Sequence, residues 1–449
     1  MKRNPISLTG IAIATLSALF FIFTFLADLF GLHTNPYLGI VFFLVVPTVF
    51  VIGLLMIPAG LIIARRRRAK GLEPQTWPAI DLNQPRHRRI VLTVLSLTIV
   101  NLLIVSLAAY KGMEYIDSPS FCGQVCHTPM HPEYTAYLAG PHANVECVHC
   151  HVGSAPGSFV RAKLNGLHQV VSMVGGTYPR PIPSPVWNMR PADETCEQCH
   201  WPEKFHGDKL KLVHQFADDE QNTESVTKLS VHIGGGSAQL GIASGIHWHM
   251  NVNNDVEYVS TDAKRETIPY VRVTDAQGNV REYRAPDITD DVIAKGEHRR
   301  MDCIDCHNRP AHAFSSSPEH AVDAAMTTGE IPRSLPFAHR EAVAALKADY
   351  ADSTAAADQI AQRLRSFYTQ NYAALTKDRG AEIDQLVRGA QNVHARNVFP
   401  VMKVTWGTHL SNLGHTDAQG CFRCHDDQHK SADGKVIKQD CDQCHTMPE

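Results

Sequence analysis

The 449-residue chain has no surplus of either charge: 42 Lys and Arg stand against 45 Asp and Glu, a formal net charge of −3. That balance gives nucleic-acid binding no support, since such binding calls for a basic face. Charge is missing altogether from two long stretches, Leu38–Ala64 (27 residues) and Ile90–Tyr110 (21 residues). A third stretch, Ile6–Phe30, has 25 residues and one charge, Asp28. The short segment His33–Tyr37 has no Lys or Arg. The run Gly234–Gly236 lacks the G-K-[ST] ending of a phosphate loop. No cysteine stands alone, which leaves no odd thiol for a single nucleophile or an intermolecular bridge.

The three apolar runs read as membrane spans. At 1.5 Å rise they make helices of roughly 37, 40 and 32 Å, against a hydrocarbon core of about 30 Å. Pro47 and Pro58 inside the second run are expected to kink it rather than forbid it. Met1-Lys2-Arg3 would suit a signal peptide, but the apolar run is too long and no small-x-small cleavage site follows. Lys2 and Arg3 precede the first run, and Arg65, Arg66, Arg67, Arg68, Lys70, Arg86, Arg88 and Arg89 separate the second from the third. The positive-inside rule then places the N-terminus and the 65–89 loop in the cytoplasm and everything after Tyr110 outside.

All 12 cysteines lie in six pairs, each followed at once by histidine. Five pairs read C-x-x-C-H: Cys147/Cys150/His151, Cys196/Cys199/His200, Cys303/Cys306/His307, Cys421/Cys424/His425 and Cys441/Cys444/His445. The remaining one, Cys122/Cys126/His127, has one extra residue between its cysteines. Chance would supply roughly 0.02 such C-x-x-C-H matches from this composition, so the spacing points to covalent haem c. Two thiols add across the haem vinyl groups, and the adjoining histidine supplies the proximal iron ligand. Zinc ribbons do not need a histidine after every second cysteine. Six successive close-spaced cysteine pairs make a poor disulfide framework. Thioredoxin-type motifs need a βαβ context that is missing here.

Six haems take up to six further axial ligands. The chain has 25 histidines, and 17 remain once the motif histidines, His33 and His87 are set aside. His206, His312, His415 and His429 lie close to motifs and are favoured as ligands; His142, His232, His247 and His249 are weaker candidates. Gly245-Ile-His-Trp-His249 is read as able to bring a ligand pair to a haem, or as a turn with exposed rings. Met130, three residues after His127, is a possible sulfur ligand. Strands are expected at 230–233, 256–260, 269–273 and 280–283 around a Gly278-Asn279 turn. Residues 319–395 read as helix, with Ile360, Leu364, Phe367, Tyr368 and Leu375 near one face, so the haems are expected to group as four plus two.

Gly112–Ser118 leading into the first motif, Pro141-His-Ala-Asn-Val-Glu-Cys147 and Lys163-Leu-Asn-Gly-Leu-His-Gln-Val170 resemble the NapC/NirT family of membrane-anchored multihaem cytochromes c. The resemblance covers residues 90–200 well and the later motifs more loosely. It implies electron transfer from membrane quinol to periplasmic reductases or cytochromes, with a lysine near the quinol site. The chain departs from the pattern in two extra N-terminal helices, in six motifs rather than four, and in the spacing of the first motif. These features resemble the larger, three-helix branch of the family. Met130 stands one residue beyond the family's methionine position.

The expected fold is therefore three N-terminal transmembrane helices followed by a mainly α/irregular, haem-packed periplasmic domain with a small β-rich insert. The expected divisions are residues 1–64 (two spans), 65–89 (basic loop), 90–110 (third span), 111–206 (haems 1–3), 207–300 (β-rich insert), 301–317 (haem 4), 318–400 (helical) and 401–449 (two haems). The expected function is an inner-membrane hexahaem cytochrome that oxidises menaquinol or ubiquinol and passes electrons to periplasmic cytochromes or reductases. Quinol oxidation releases protons, so a base is needed near the first haem; Lys163, Asp117, Glu133 and Glu114 are the candidates. The rival readings are a non-enzymatic subunit of a larger respiratory complex and a haem-based reductase with an open iron.

Overall fold

The structure is a computed structural model describing residues 5–29, 46–71, 81–152, 156–186, 189–235, 244–250, 254–275 and 277–448. Met1–Arg3, the 33–37 segment, residues 38–45 of the second apolar run and Gly236 lie outside the described residues. The chain divides into two compact units, residues 1–117 with 152–168, and residues 118–151 with 169–449.

In the first unit the apolar runs are helices: α1 (Pro5–Leu29), α2 (Val46–Ala69) and α3 (Pro85–Asp117). Proline opens both α1 and α3, where its missing N–H has no partner to lose. Helix α2 continues through Pro58 and over the arginines Arg65–Arg68. Helix α3 runs past Tyr110 to Asp117, longer than the apolar pattern implied. On α1 the buried positions are Ser7, Gly10, Ala14 and Ser17, one stripe at three- and four-residue spacing. On α2 they include Val46, Gly53 and Gly60, seven residues apart. The two stripes meet backbone to backbone. A Cβ on Gly10 would lie 2.7 Å from the Gly53 carbonyl oxygen, and one on Gly53 would lie 2.8 Å from the Ala14 nitrogen. Ser7 Oγ donates to the Ile57 carbonyl at 2.9 Å. Small residues and a hydroxyl at the crossing are how helices associate where lipid removes the hydrophobic drive. Leu16, Leu19, Leu54 and Leu55 point away from it, exposed. Among the described residues one helical segment, Thr48–Arg67, is long and apolar enough to cross a membrane, and Pro5–Phe20 is a shorter apolar one.

The second unit opens with α4 (His127–Ala139) and α5 (Cys147–His151); α6 (Pro156–Val174) spans the division between the units. Two antiparallel sheets follow. One orders β1 (Asp208–Phe216), β2 (Glu224–His232) and β8 (His445–Thr446). The other orders β6 (Glu297–Arg300), β3 (Asp255–Ser260), β4 (Tyr270–Thr274), β5 (Val280–Arg284) and β7 (Lys430–Ser431). The four expected strands are there, and β1, β6, β7 and β8 are additional. Each sheet takes an edge strand from the last two-motif region: Val231 pairs with His445, and Arg284 with Lys430. The 207–300 insert is thus not a separate body.

Helices α7 (Asp290–Lys295) and α8 (Cys303–Cys306) lead to the 318–400 region, a bundle of α9 (Pro318–Thr327), α10 (Ala338–Leu346), α11 (Ser353–Asn371), α12 (Ala373–Asp378) and α13 (Gly380–Asn397). Ser317 and Asp352 cap α9 and α11 by accepting from the His320 and Ala355 N–H groups. Ile360, Leu364 and Tyr368 are fully buried and pack with Met326, Leu335, Leu346 and Leu386. Phe367 is only partly buried, and Leu375 falls on the next helix.

His339 ties this bundle to the turn after β1. Its Nδ1 lies 2.8 Å from Asp218 and its Nε2 3.3 Å from Asp323, whose Oδ1 also accepts from the Phe216 N–H. Burial pulls the imidazole down, but the two carboxylates outweigh it and the net shift is upward from 6.5. A group raised in the folded state stabilises it fully below its unfolded value and loses that contribution as pH climbs through the folded one. His339→Gln is therefore expected to lower the thermal midpoint more at pH 6 than at pH 8.5. An equal loss at both would show that the histidine does not act through its charge.

Candidate haem sites

The six cysteine pairs sit in different local frames. Phe121–Val125 forms a π-helical turn, which holds more residues than an α turn and takes up the extra residue between Cys122 and Cys126. Gly123 is buried in that turn, and a Cβ there would run into the Tyr134 ring, so glycine is required. The second motif forms α5, and Cys303–Cys306 forms α8. Asp302 and Asp305 cap α8 reciprocally, and Asp305 also accepts from the Tyr258 hydroxyl at 2.6 Å. The other three motifs lie on single 3₁₀ turns.

Consecutive motifs adjoin along the chain. The thiols of Cys122 and Cys147 are within hydrogen-bonding reach, as are those of Cys196 and Cys303. Cys150 lies in electrostatic range of Cys196 and Cys199, Cys306 of Cys421, and Cys444 of Cys421. The expected four-plus-two grouping is corrected by the fourth and fifth motifs, which share a scaffold. The buried Arg423 donates to the Asp305 carbonyl at 2.7 Å and to the Arg265 carbonyl at 2.8 Å. Asn308 donates to Leu410 O at 3.0 Å and accepts from the Asn412 N–H at 2.9 Å. The helical bundle lies in the sequence between these motifs without parting them.

Five motif histidines each face a histidine from elsewhere. Ring centroids are 6.3 Å apart for His151 and His312, 6.2 Å for His200 and His142, and 6.4 Å for His307 and His247. They are 5.9 Å apart for His425 and His249, and 6.2 Å for His445 and His415. Two imidazoles on opposite sides of one metal ion, each nitrogen about 2.0 Å from it, have centroids roughly 6.3 Å apart. Single ring contacts also occur at such distances. Five repeats, each pairing one motif histidine with one other histidine, are what axial ligation requires. The Nδ1 atoms of His142, His247, His249, His312 and His425 lie 2.9–3.0 Å from backbone carbonyls of Pro310, Ile233, Ile246, Glu133 and Lys438. That bond fixes the tautomer and leaves Nε2 to coordinate. Burial pushes His151, His247, His249 and His307 downward, keeping them neutral as ligands must be. Among the described residues no three His, Cys, Asp or Glu converge as a site of protein ligands alone would need. The facing pairs would instead hold a haem iron from two sides, the haem itself supplying the remaining ligands. Burial pushes the Cys306 and Cys424 thiols up to about 12.

The remaining candidates divide. His429 is buried with Nδ1 at 3.0 Å from Asp426 and Nε2 at 2.7 Å from the Ile268 carbonyl, so no ring nitrogen is left for iron. His206 is exposed and bonds its own turn through Lys204 O at 2.7 Å. His232 pairs with Asp208 at 2.9 Å. Met130 lies in the first turn of α4, its N–H bonded to Cys126 O. Glu133 is buried, and Arg309 holds its carboxylate at 2.9 and 3.2 Å, which occupies it as a structural ion pair rather than a free base. Glu114 bonds Lys111 at 2.7 Å on an exposed face of α3, and Asp117 is buried at the end of that helix. Lys163 lies on α6; its side chain and that of His127 lie outside the described part. The H-x-H doublet is the local sequence signal for His247 and His249.

A model of the NapC/NirT cytochrome c family, N-terminal region, matches residues 84–181. Over 448 residues the chain is 38% identical to the cytochrome c-type protein ImcH of Geobacter sulfurreducens, covering 99% of this chain and 88% of that protein. No solved structure matches. With the haem motifs and their facing imidazoles, these likenesses establish that the chain belongs to the NapC/NirT family of c-type cytochromes, electron-transfer proteins carrying covalently bound haem c.

Proposed function

We propose that the chain is a three-pass inner-membrane cytochrome with six haem c groups that oxidises quinol and relays the electrons to periplasmic acceptors. The observation that carries this reading is the unbroken series of adjoining cysteine pairs, five of them with a facing pair of imidazoles. Bound haem supplies a one-electron carrier at each site. The three-pass topology is supported by α1–α3 and by the arginines that end α2.

The donor end is assigned to the first motif by chain continuity: α3 ends at Asp117, and Cys122 follows within two turns' length of chain. Two protons leave with the two electrons of a quinol, so a base belongs there. Glu133 is already paired with Arg309 and Glu114 with Lys111; Asp117 is preferred because it ends α3 just before the first motif, and Lys163 because the family resemblance implies a lysine near the quinol site.

The test is anaerobic mixing of the oxidised, detergent-purified protein with a reduced menaquinol analogue, followed by haem absorption. Rapid reduction that falls about 100-fold in Asp117→Asn or Lys163→Ala is expected, the usual scale of losing a general base. Reduction by dithionite but never by quinol would sink the quinol reading and favour a subunit fed by another protein.

A further inference from the structure

Residues 246–250 form a single 3₁₀ turn, Ile246-His-Trp-His-Met250. A 3₁₀ helix advances about 120° per residue, so side chains two apart diverge by about 120° and cannot close on one metal ion from opposite sides. The reading that this segment offers two ligands to one haem is therefore replaced. His247 faces His307 of the fourth motif, and His249 faces His425 of the fifth. Each Nδ1 is held by a carbonyl, His247 by Ile233 O at 2.9 Å and His249 by Ile246 O at 3.0 Å.

Trp248 lies between them. It packs on the cluster of Val256, Tyr258, Ile268, Val271 and Cys424, and its carbonyl accepts from Asn254 Nδ2 at 3.0 Å. The indole thus roots the turn in the five-stranded sheet, beside a cysteine of the fifth motif. The two facing pairs differ in ring geometry. His247 and His307 are nearly parallel, 6° between planes, whereas His249 and His425 are nearly perpendicular, 83°.

We propose that this one turn ligates two neighbouring irons, His247 that of the fourth haem and His249 that of the fifth, with Trp248 as the positioning residue that holds both. The inference rests on the hexahaem reading above. Parallel axial imidazoles lift the near-degeneracy of the ferric iron dπ orbitals and give a rhombic low-spin spectrum. Perpendicular ones leave the orbitals close in energy and give a large-gmax, highly anisotropic signal. One turn therefore builds two spectroscopically distinct centres side by side.

Electron paramagnetic resonance of the oxidised full-length protein tests this, with intact mass counting the haems. His247→Ala is expected to keep every covalent haem, turn one haem high-spin and remove a rhombic signal. His249→Ala is expected to do the same to a large-gmax signal. His247→Met and His249→Met keep a ligand in place, so each is expected to shift only its own signal even where an alanine variant fails to accumulate. Trp248→Ala is expected to disturb both signals and Trp248→Phe neither. Loss of the same signal from both histidine variants, or no high-spin haem in either alanine variant, would overturn the assignment. A wild-type mass showing fewer than six haems would instead count against the hexahaem reading.

Discussion

A chain carrying Cys303→Ala with Cys306→Ala is expected to emerge with five haems, of which only three fill promptly when quinol is supplied. The reason lies in the order of the cysteine pairs. Cys303 adjoins Cys196 on one side, and Cys306 adjoins Cys421 on the other. The fourth pair thus adjoins the third on one side and the fifth on the other, so its removal is expected to open a gap between the first three sites and the last two. Electron tunnelling weakens steeply with distance, and a missing carrier in a line slows everything beyond it. Anaerobic stopped-flow absorption would resolve three haems filling in the fast phase and two lagging. The same double change at Cys441 and Cys444 removes a terminal site, so all five remaining haems are expected to fill together. A single phase in both variants would show that the haems branch rather than follow one line.

Glu133→Ala is expected to destabilise the haem-bearing unit by about 3–5 kcal/mol, the cost of stranding one member of a buried ion pair. The Arg309 side chain is 9% exposed and that of Glu133 12%, so water does little to screen the loss. Arg309 also donates to the His312 carbonyl at 2.8 Å and lies over the Phe314 ring at 5.1 Å. The pair thereby braces the segment that carries His312 opposite His151. A typical domain has only about 5–15 kcal/mol to lose, so the denaturation midpoint should fall sharply. Glu133→Gln keeps a hydrogen-bond acceptor and is expected to cost less. An unchanged midpoint in Glu133→Ala would mean that the guanidinium finds water or another partner at no cost.

What was legible in the sequence was local. The six motifs, the apolar runs and the 278–279 hairpin turn are each written within a few residues, and local spacing was enough to find them. Strand β1 was missed because Leu210 and Leu212 alternate with Lys209 and Lys211 on a largely exposed ribbon, which never forms an apolar run. The partners of the motif histidines were not legible, because His249 and His425, or His142 and His200, meet only after the whole unit folds. Nearness in sequence misled for His206 and His429, which bond their own turns. The partner of Glu133 was not legible for the same reason: Arg309 follows the fourth motif, far along the chain.

The short strands at Lys430–Ser431 and His445–Thr446 set an order of assembly. Each covers an edge of a sheet whose other strands stand well before it in the chain. Until residues 430–446 arrive, β2 and β5 present unpaired backbone to the outside, a template for pairing with other chains. The turn at 246–250 meanwhile waits for the histidine of the fifth motif. Completion of both sheets thus waits for residues 430–446. A chain arrested short of residue 430 would hold five of the six cysteine pairs and two open sheet edges.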